Sequence, residues 1–271
     1  MVTNNNELTI DELFVKATKF HQNNNLEAAE QLYKIILNKD SSFISAQNNL
    51  GLIYKNKGEN EKAKICFKKV IEIDSEIAEA QNNLGLTFQK SGENEKAIDC
   101  FKKSIKINPN YSSAYYNIAS TFHKVGKLEI AKNYYEKAIE IKPNYTEAYN
   151  NLGIIFNQLE ENEKAILYCK KAIDINSSFF NAHYNLGLIF QKIDENEKAI
   201  NCYENAIKIN PNFFNAYNNL GILFKKLGES QKAKSCYENA IRINPKFSDA
   251  YNNLGVYFTD LGKTEDAIYN Y

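Results

Sequence analysis

All 11 glycines and all four prolines of the chain fall on one 34-residue spacing, and no other feature restricts its possible folds as tightly. Gly51, Gly85, Gly153, Gly187, Gly221 and Gly255 form one series, with Ala119 in its gap. Gly58, Gly92, Gly126, Gly228 and Gly262 form a second, and Pro109, Pro143, Pro211 and Pro245 a third. A period in the 20 to 50 range marks a stacked repeat, in which no copy buries its apolar face alone and successive copies share one core. The 271 residues therefore read as one array rather than the two closed domains that length alone suggests. Copies begin at residues 10, 44, 78, 112, 146, 180, 214 and 248, so eight repeats spanning 10–271, the last incomplete, follow a polar tail of residues 1–9.

Within repeat 78–111, Gln81, Leu84, Gly85 and Phe88 recur at i, i+3, i+4 and i+7, the spacing of one helix face. Ala97, Phe101, Ser104, Ile105 and Ile107 supply the stripe of a second helix. Asn108-Pro109 ends it, because the residue before proline is pushed out of the α region. Each repeat thus predicts a helix A, a short turn and a helix B. Gly92 and its equivalents suit the left-handed residue that closes helix A. Asn60, Asn94, Asn162 and Asn196, with Ser230 and Thr264 in later repeats, stand where an N-cap of helix B is expected. Glu61, Glu95, Glu163 and Glu197 follow where negative charge favours a helix start. Glu160 and Asp194 in place of the turn glycine, and Leu26 and Leu128 in place of the cap, predict weaker turns in repeats 10, 112, 146 and 180. Thr9 with Glu12 three residues later has the form of a capping box, so ordered structure is expected from about residue 9. Glycine inside helix A, as at Gly85, costs about 0.5–1 kcal/mol relative to alanine. That is tolerable where the missing side chain lets a neighbouring helix come close.

Repeat 214–247 places Tyr217, Leu220, Gly221, Phe224, Ala233, Tyr237, Ala240 and Pro245 at its places 4, 7, 8, 11, 20, 24, 27 and 32. Repeat 146–179 follows with Tyr149, Leu152, Gly153, Phe156, Ala165 and Ala172, departing at Cys169 and Ser177. Alanine stands at place 20 in every copy: Ala29, Ala63, Ala97, Ala131, Ala165, Ala199, Ala233 and Ala267. This pattern resembles the tetratricopeptide repeat (TPR) family over residues 10–271. The resemblance implies an all-α, right-handed superhelical solenoid of antiparallel helix pairs, with the A helices lining a concave groove.

Lys plus Arg and Asp plus Glu balance at 33 each, so no overall field draws the chain to nucleic acid or an anionic membrane. No apolar run reaches the length of a membrane span, and the N-terminus opens on Asn4, Asn5, Asn6 and Glu7 instead of a signal sequence. A cytoplasmic protein is expected. Cys66, Cys100, Cys202 and Cys236 occupy equivalent places, with Cys169 one residue off. Helix packing sets such places about 8–10 Å apart, beyond the roughly 7 Å that a disulfide spans, so reduced, packed thiols are expected. His21, His123 and His183 do not converge, and His183 takes the place of Tyr149 and Tyr217, which gives it a packing role. No HExxH, CxxC, GxGxxG or GxxxxGK sequence is present. Glu59, Glu61, Glu93 and Glu95 recur as solvated turn residues. Neither catalysis, a metal nor a cofactor is expected.

What remains is the groove. Asn49, Asn83, Asn117, Asn151, Asn185, Asn219 and Asn253 occupy one place in seven consecutive repeats. An amide carries donors and an acceptor, as an extended peptide backbone demands of a reader that ignores side chains. At one amide per ~10 Å and a strand rise of about 3.3 Å, each would serve every third peptide residue, or on the order of 18 residues in all. Bonding to the adjacent repeat is the other role open to the row. Leu52, Leu86, Ile154, Leu188, Ile222 and Val256, with Ser120 as the exception, run beside it as peptide anchors or as packing between A helices. Tyr116 and Tyr184, each offering a ring face and a hydroxyl, are further contact candidates. The row is similar to the asparagine ladder of the O-linked N-acetylglucosamine transferase family, which holds substrate peptides by their backbones. The lysine and arginine clamp of chaperone adaptors is replaced by Asn48, Asn82, Glu79 and Ser113. Three functions are therefore expected in competition. They are a scaffold that binds protein or peptide partners, the recruiting arm of a larger protein O-glycosyltransferase with its catalytic domain beyond residue 271, and a module self-assembling through an uncapped C-terminal helix.

Overall fold

In the computed structural model residues 8–262 are described, and they form α-helices and turns without a strand. The A helices are α1 (Ile10–Gln22), α3 (Ile44–Lys57), α5 (Ala78–Lys90), α7 (Ser112–Lys124), α9 (Thr146–Gln158), α11 (Phe180–Lys192), α13 (Phe214–Lys226) and α15 (Ser248–Asp260). The B helices are α2 (Leu26–Lys39), α4 (Asn60–Ile73), α6 (Asn94–Ile107), α8 (Leu128–Ile141), α10 (Asn162–Ile175), α12 (Asn196–Ile209) and α14 (Ser230–Ile243). The chain divides into two compact units, one ending at Ile141 and the other beginning at Lys142. The tail before Leu8, and the eighth B helix with Thr264, Ala267 and the uncapped end at Tyr271, lie outside the described residues.

Inside each unit the A helices α1 to α13 each pack on the B helix that follows, and B helices pack on the next A helix, as α4 does on α5 and α10 on α11. The stripe expected in repeat 78–111 is buried at Gln81, Leu84, Gly85, Phe88, Ala97, Phe101 and Ser104, while Ile105 and Ile107 are half-buried. Place 20 is fully buried in every described copy, from Ala29 to Ala233. At place 24, Tyr33, Phe67, Phe101, Tyr135, Tyr203 and Tyr237 are fully buried. These rings explain the mid-helix glycines. A Cβ on Gly85 would lie 2.6 Å from Phe101 Cε1, and one on Gly187 2.7 Å from Tyr203 Cε1. All five cysteines are buried and free.

The turns follow the expected path with one correction. Gly58, Gly92, Gly126, Gly228 and Gly262 take φ of 70–80°. Asn24, Glu160 and Asp194 adopt the same left-handed turn at φ 58°, 64° and 62°, so the loss of glycine strains the turn without changing it. Asn60, Asn94, Asn162, Asn196 and Ser230 do not cap helix B. Each is its first helical residue, preceded by Glu59, Glu93, Glu161, Glu195 or Glu229 as N-cap, with no side-chain cap bond. The left-handed residue and one more complete the turn, so the helix starts one place earlier than the sequence suggests. The Oδ1 atoms of Asn60, Asn94, Asn162 and Asn196 are buried without a hydrogen-bond partner. The N-cap glutamates instead pair with lysines three residues on, as Glu59 with Lys62 at 2.5 Å and Glu93 with Lys96 at 2.6 Å. Repeat 10, expected to be weak at Leu26, is capped by Asn25, whose Oδ1 accepts from the Ala28 N–H at 3.3 Å. The capping box forms: the Glu12 N–H donates to Thr9 Oγ1 at 3.2 Å and the Thr9 N–H to Glu12 Oε2 at 2.8 Å.

Candidate functional site: the A-helix face

On an α-helix, residues i, i+3 and i+7 share a face, which puts Asn83, Leu86 and Lys90 in one line along α5. Asn117, Ser120 and Lys124 follow the same line on α7, and Asn185, Leu188 and Lys192 on α11. The asparagines of this row reach back to the preceding repeat. Asn117 Nδ2 donates to Asn82 Oδ1 at 2.8 Å, Asn185 Nδ2 to Asn150 Oδ1 at 2.8 Å, and Asn253 Nδ2 to Asn218 Oδ1 at 2.9 Å. Asn219 Nδ2 donates to the Tyr184 hydroxyl at 2.9 Å, and Asn49 Nδ2 to the Tyr33 hydroxyl at 3.1 Å. Asn151 accepts a long bond from Asn150 Nδ2 at 3.4 Å. Repeat 78 differs: Asn82 and Asn83 are both buried, and Asn83 Nδ2 has no partner. Asn48 Oδ1, the acceptor 35 residues before it, is buried and unpartnered too.

At Asn117, Asn185, Asn219 and Asn253 the row therefore forms a relay in which place 6 of one repeat donates to place 5 of the repeat before. One N–H of the amide ties neighbouring A helices together. That bond uses one N–H, and the half-buried amides of Asn117, Asn185, Asn219 and Asn253 carry a second N–H and Oδ1 besides. Leu52, Leu86, Ile154, Leu188 and Val256 are half-buried beside the row, and Ile222 is exposed. Tyr116 packs edge-on against Tyr135 with ring centroids 5.4 Å apart. Tyr184 packs against Tyr203 at 5.8 Å and edge-on against Phe213 at 4.9 Å, and its hydroxyl accepts from Asn219.

The sequence reading missed the lysines at the C-terminal ends of the A helices. In the first unit, Lys55, Asn56, Leu86, Gln89, Lys90, Ser120 and Lys124 line a groove of about 570 Å³ built from α3, α5 and α7 alone. The signal was present as lysine at place 12 or 13 in three consecutive repeats, and the zero net charge of the whole chain concealed it. A second hollow, of about 390 Å³, lies between α4 and α6 over Gln81, Leu84, Phe88 and Cys100. Burial pushes the Cys100 thiol up to about 11, which removes it as a nucleophile. His183 Nε2 lies 3.1 Å from the Ser177 carbonyl oxygen, tying helix α11 to the turn before it. Among the described residues no helix is long and apolar enough to cross a membrane.

Comparison with known families gives matches to tetratricopeptide repeat models over residues 42–108 and 76–144, 193–228, 214–247 and 236–269. An Est1 DNA/RNA binding domain model matches residues 131–198. No curated protein matches the chain. Similar solved structures include Pseudomonas aeruginosa PilF, at 21% identity and a TM-score of 0.68, covering 79% of this chain and 96% of PilF. MamA is 28% identical with a TM-score of 0.55 over 60% of this chain and 95% of MamA. YrrB, described as a TPR protein with an unusual peptide-binding site, is 22% identical with a TM-score of 0.54 over 68% of this chain and 95% of YrrB. The repeat pattern, the helix pairs that it builds, the family matches and the shared fold agree: the chain belongs to the tetratricopeptide repeat family.

Proposed function

We propose that the A-helix faces bind extended peptide segments of partner proteins and that the chain acts as an interaction scaffold rather than an enzyme. The observation that carries this reading is the half-bonded asparagine row. Asn49 and Asn117 supply it in the first unit, and Asn185, Asn219 and Asn253 in the second; Asn83 and Asn151 stand at the same place in the remaining repeats. Each relay bond holds an amide in one orientation, and a pre-oriented amide loses little entropy when it meets a peptide backbone. Tyr116 and Tyr184 supply ring faces beside the row.

A nucleic-acid role draws no support from charge. The stretch matched by the Est1 domain carries eight lysines against ten carboxylates, whereas phosphate binding calls for net positive charge. The glycosyltransferase-arm reading rests on the resemblance of the asparagine row alone, and end-to-end self-association would act through residues outside those described.

The test is a peptide-display selection on the full chain, followed by titration of the selected peptides against Asn151→Ala/Asn185→Ala/Asn219→Ala. The triple variant is expected to bind at least about tenfold more weakly. It should also lose about 1–3 kcal/mol of stability at the Asn185 bond, whose abandoned acceptor Asn150 is buried, and about 0.5–1 kcal/mol at the Asn219 bond, whose acceptor Tyr184 is half-buried. Undiminished affinity in the variant, or a selection that recovers no binder, sinks the proposal.

A further inference from the structure

Lys55, Lys90 and Lys124 lie near the C-terminal ends of α3, α5 and α7 and line one groove. Lys90 Nζ donates to the Lys55 carbonyl oxygen at 3.0 Å, which holds its ammonium beside the half-buried Lys55. Among the described residues, none of the three forms an ion pair. Burial holds the Lys55 pKa below its ordinary value and the charge of Lys90 adds to this, with Glu79 opposing.

The second unit handles the same places differently. Lys225 pairs with Asp260 at 2.9 Å, Lys226 pairs with Asp194, and Lys192 donates to the Asn157 carbonyl oxygen at 3.1 Å. The repeat can therefore neutralise a lysine here, and among the described residues of the first unit it leaves three without an ion pair. Like charges lining one groove repel, and an anion that joins them relieves the repulsion and, at the half-buried Lys55, part of the desolvation cost. Ser120 makes room, since its place holds Leu52, Leu86, Ile154, Leu188, Ile222 or Val256 in six of the other repeats and Thr18 in the first.

We propose that this groove selects peptide segments bearing aspartate or glutamate at every third residue. The three lysines pair with the carboxylates while the half-buried Asn117, two turns back on the same face of α7, holds the backbone. The spacing comes from A helices about 10 Å apart against an extended rise of about 3.3 Å per residue. This rests on the peptide-binding reading above and adds a charge preference confined to the first unit.

The experiment titrates the full chain, by fluorescence anisotropy, against two labelled peptides of repeating Ser-Val-Glu and Ser-Val-Gln. It is run at about 20 and about 150 mM NaCl, which span weak and strong screening. The glutamate peptide is expected to bind about tenfold more tightly at low salt, the scale of three partly shielded ion pairs, and the gap should narrow at high salt. Lys55→Gln/Lys90→Gln/Lys124→Gln should remove the preference, and Lys192→Gln/Lys225→Gln/Lys226→Gln should keep it. If the first triple variant loses its helical circular dichroism, Lys124→Gln alone carries the test with a two- to threefold expected loss, roughly one pair in three. Equal binding of the two peptides by the native chain overturns the charge preference and leaves the peptide groove standing. Binding of neither overturns both, and a preference that survives in the lysine variants overturns the assignment to this groove.

Discussion

Gly85→Ala tests why glycine persists in the middle of helix A. A Cβ there would stand 2.6, 2.8 and 3.0 Å from Cε1, Cδ1 and Cζ of Phe101, where carbon contacts ordinarily begin about 3.5 Å apart. The ring must retreat by roughly an ångström, and Phe101 is fully buried, so its neighbours must move with it. Overpacking of this kind costs about 1–3 kcal/mol, against which alanine returns about 0.5–1 kcal/mol of helix propensity. The net expectation is a loss of about 0.5–2 kcal/mol. Ala119, fully buried at the equivalent place in the repeat of Tyr135, shows that the stack accepts a methyl when its surroundings are adapted to it. That precedent argues for the lower half of the range. Urea unfolding followed by circular dichroism gives the total. Amide exchange localises it to α5 and α6, which matters because repeat arrays need not unfold in one step. Gly85→Ala/Phe101→Leu frees space for the methyl, so the two changes should couple by about 1 kcal/mol relative to their sum. A stabilised Gly85→Ala, or strictly additive changes, would refute the close-approach argument.

Two further outcomes are expected. Burial pushes the thiols of Cys66, Cys100, Cys202 and Cys236 up to about 11 and that of Cys169 up to about 12. Iodoacetamide near pH 8 should therefore leave the native chain essentially unlabelled and modify all five thiols in urea, and fast labelling of any one before unfolding contradicts the packing described. Glu30 accepts from Lys34 at 2.7 Å and Lys57 at 2.6 Å, which lowers its pKa from 4.5 to about 2. Since the folded value is the lower, its stabilisation is complete above about pH 4.5 and fades as pH falls towards 2. The Tm difference between the native chain and Glu30→Gln should shrink over that window, and a difference independent of pH sinks the assignment.

Helix content, helix ends and core were legible because each depends on residues a few positions apart. The i, i+3, i+4 stripe of Gln81, Leu84, Gly85 and Phe88 and the stop at Asn108-Pro109 need no knowledge of neighbouring repeats. The N-cap was misplaced because a polar residue at Asn60 satisfies a preference that the preceding left-handed turn has already shifted to Glu59. The two halves of the asparagine contact are both visible as residues, but their pairing depends on the stagger of adjacent A helices, so Asn117 and Asn82 do not announce one another. Lys55, Lys90 and Lys124 escaped notice for a related reason. Their meaning lies in which lysines lack a carboxylate nearby, and Asp194 and Asp260, which answer Lys226 and Lys225, are 32 and 35 positions away from them in sequence.

The amide relay joins places 6 and 5 of successive repeats, and both places recur in nearly every copy. Excising or duplicating one whole repeat inside a unit therefore rejoins a donor with an acceptor of the same kind. Most other insertions shift the two out of step. A lineage of such chains can lengthen or shorten its reach by recombination in steps of one repeat, and each new junction again sets a place-6 amide against a place-5 side chain, as Asn117 meets Asn82.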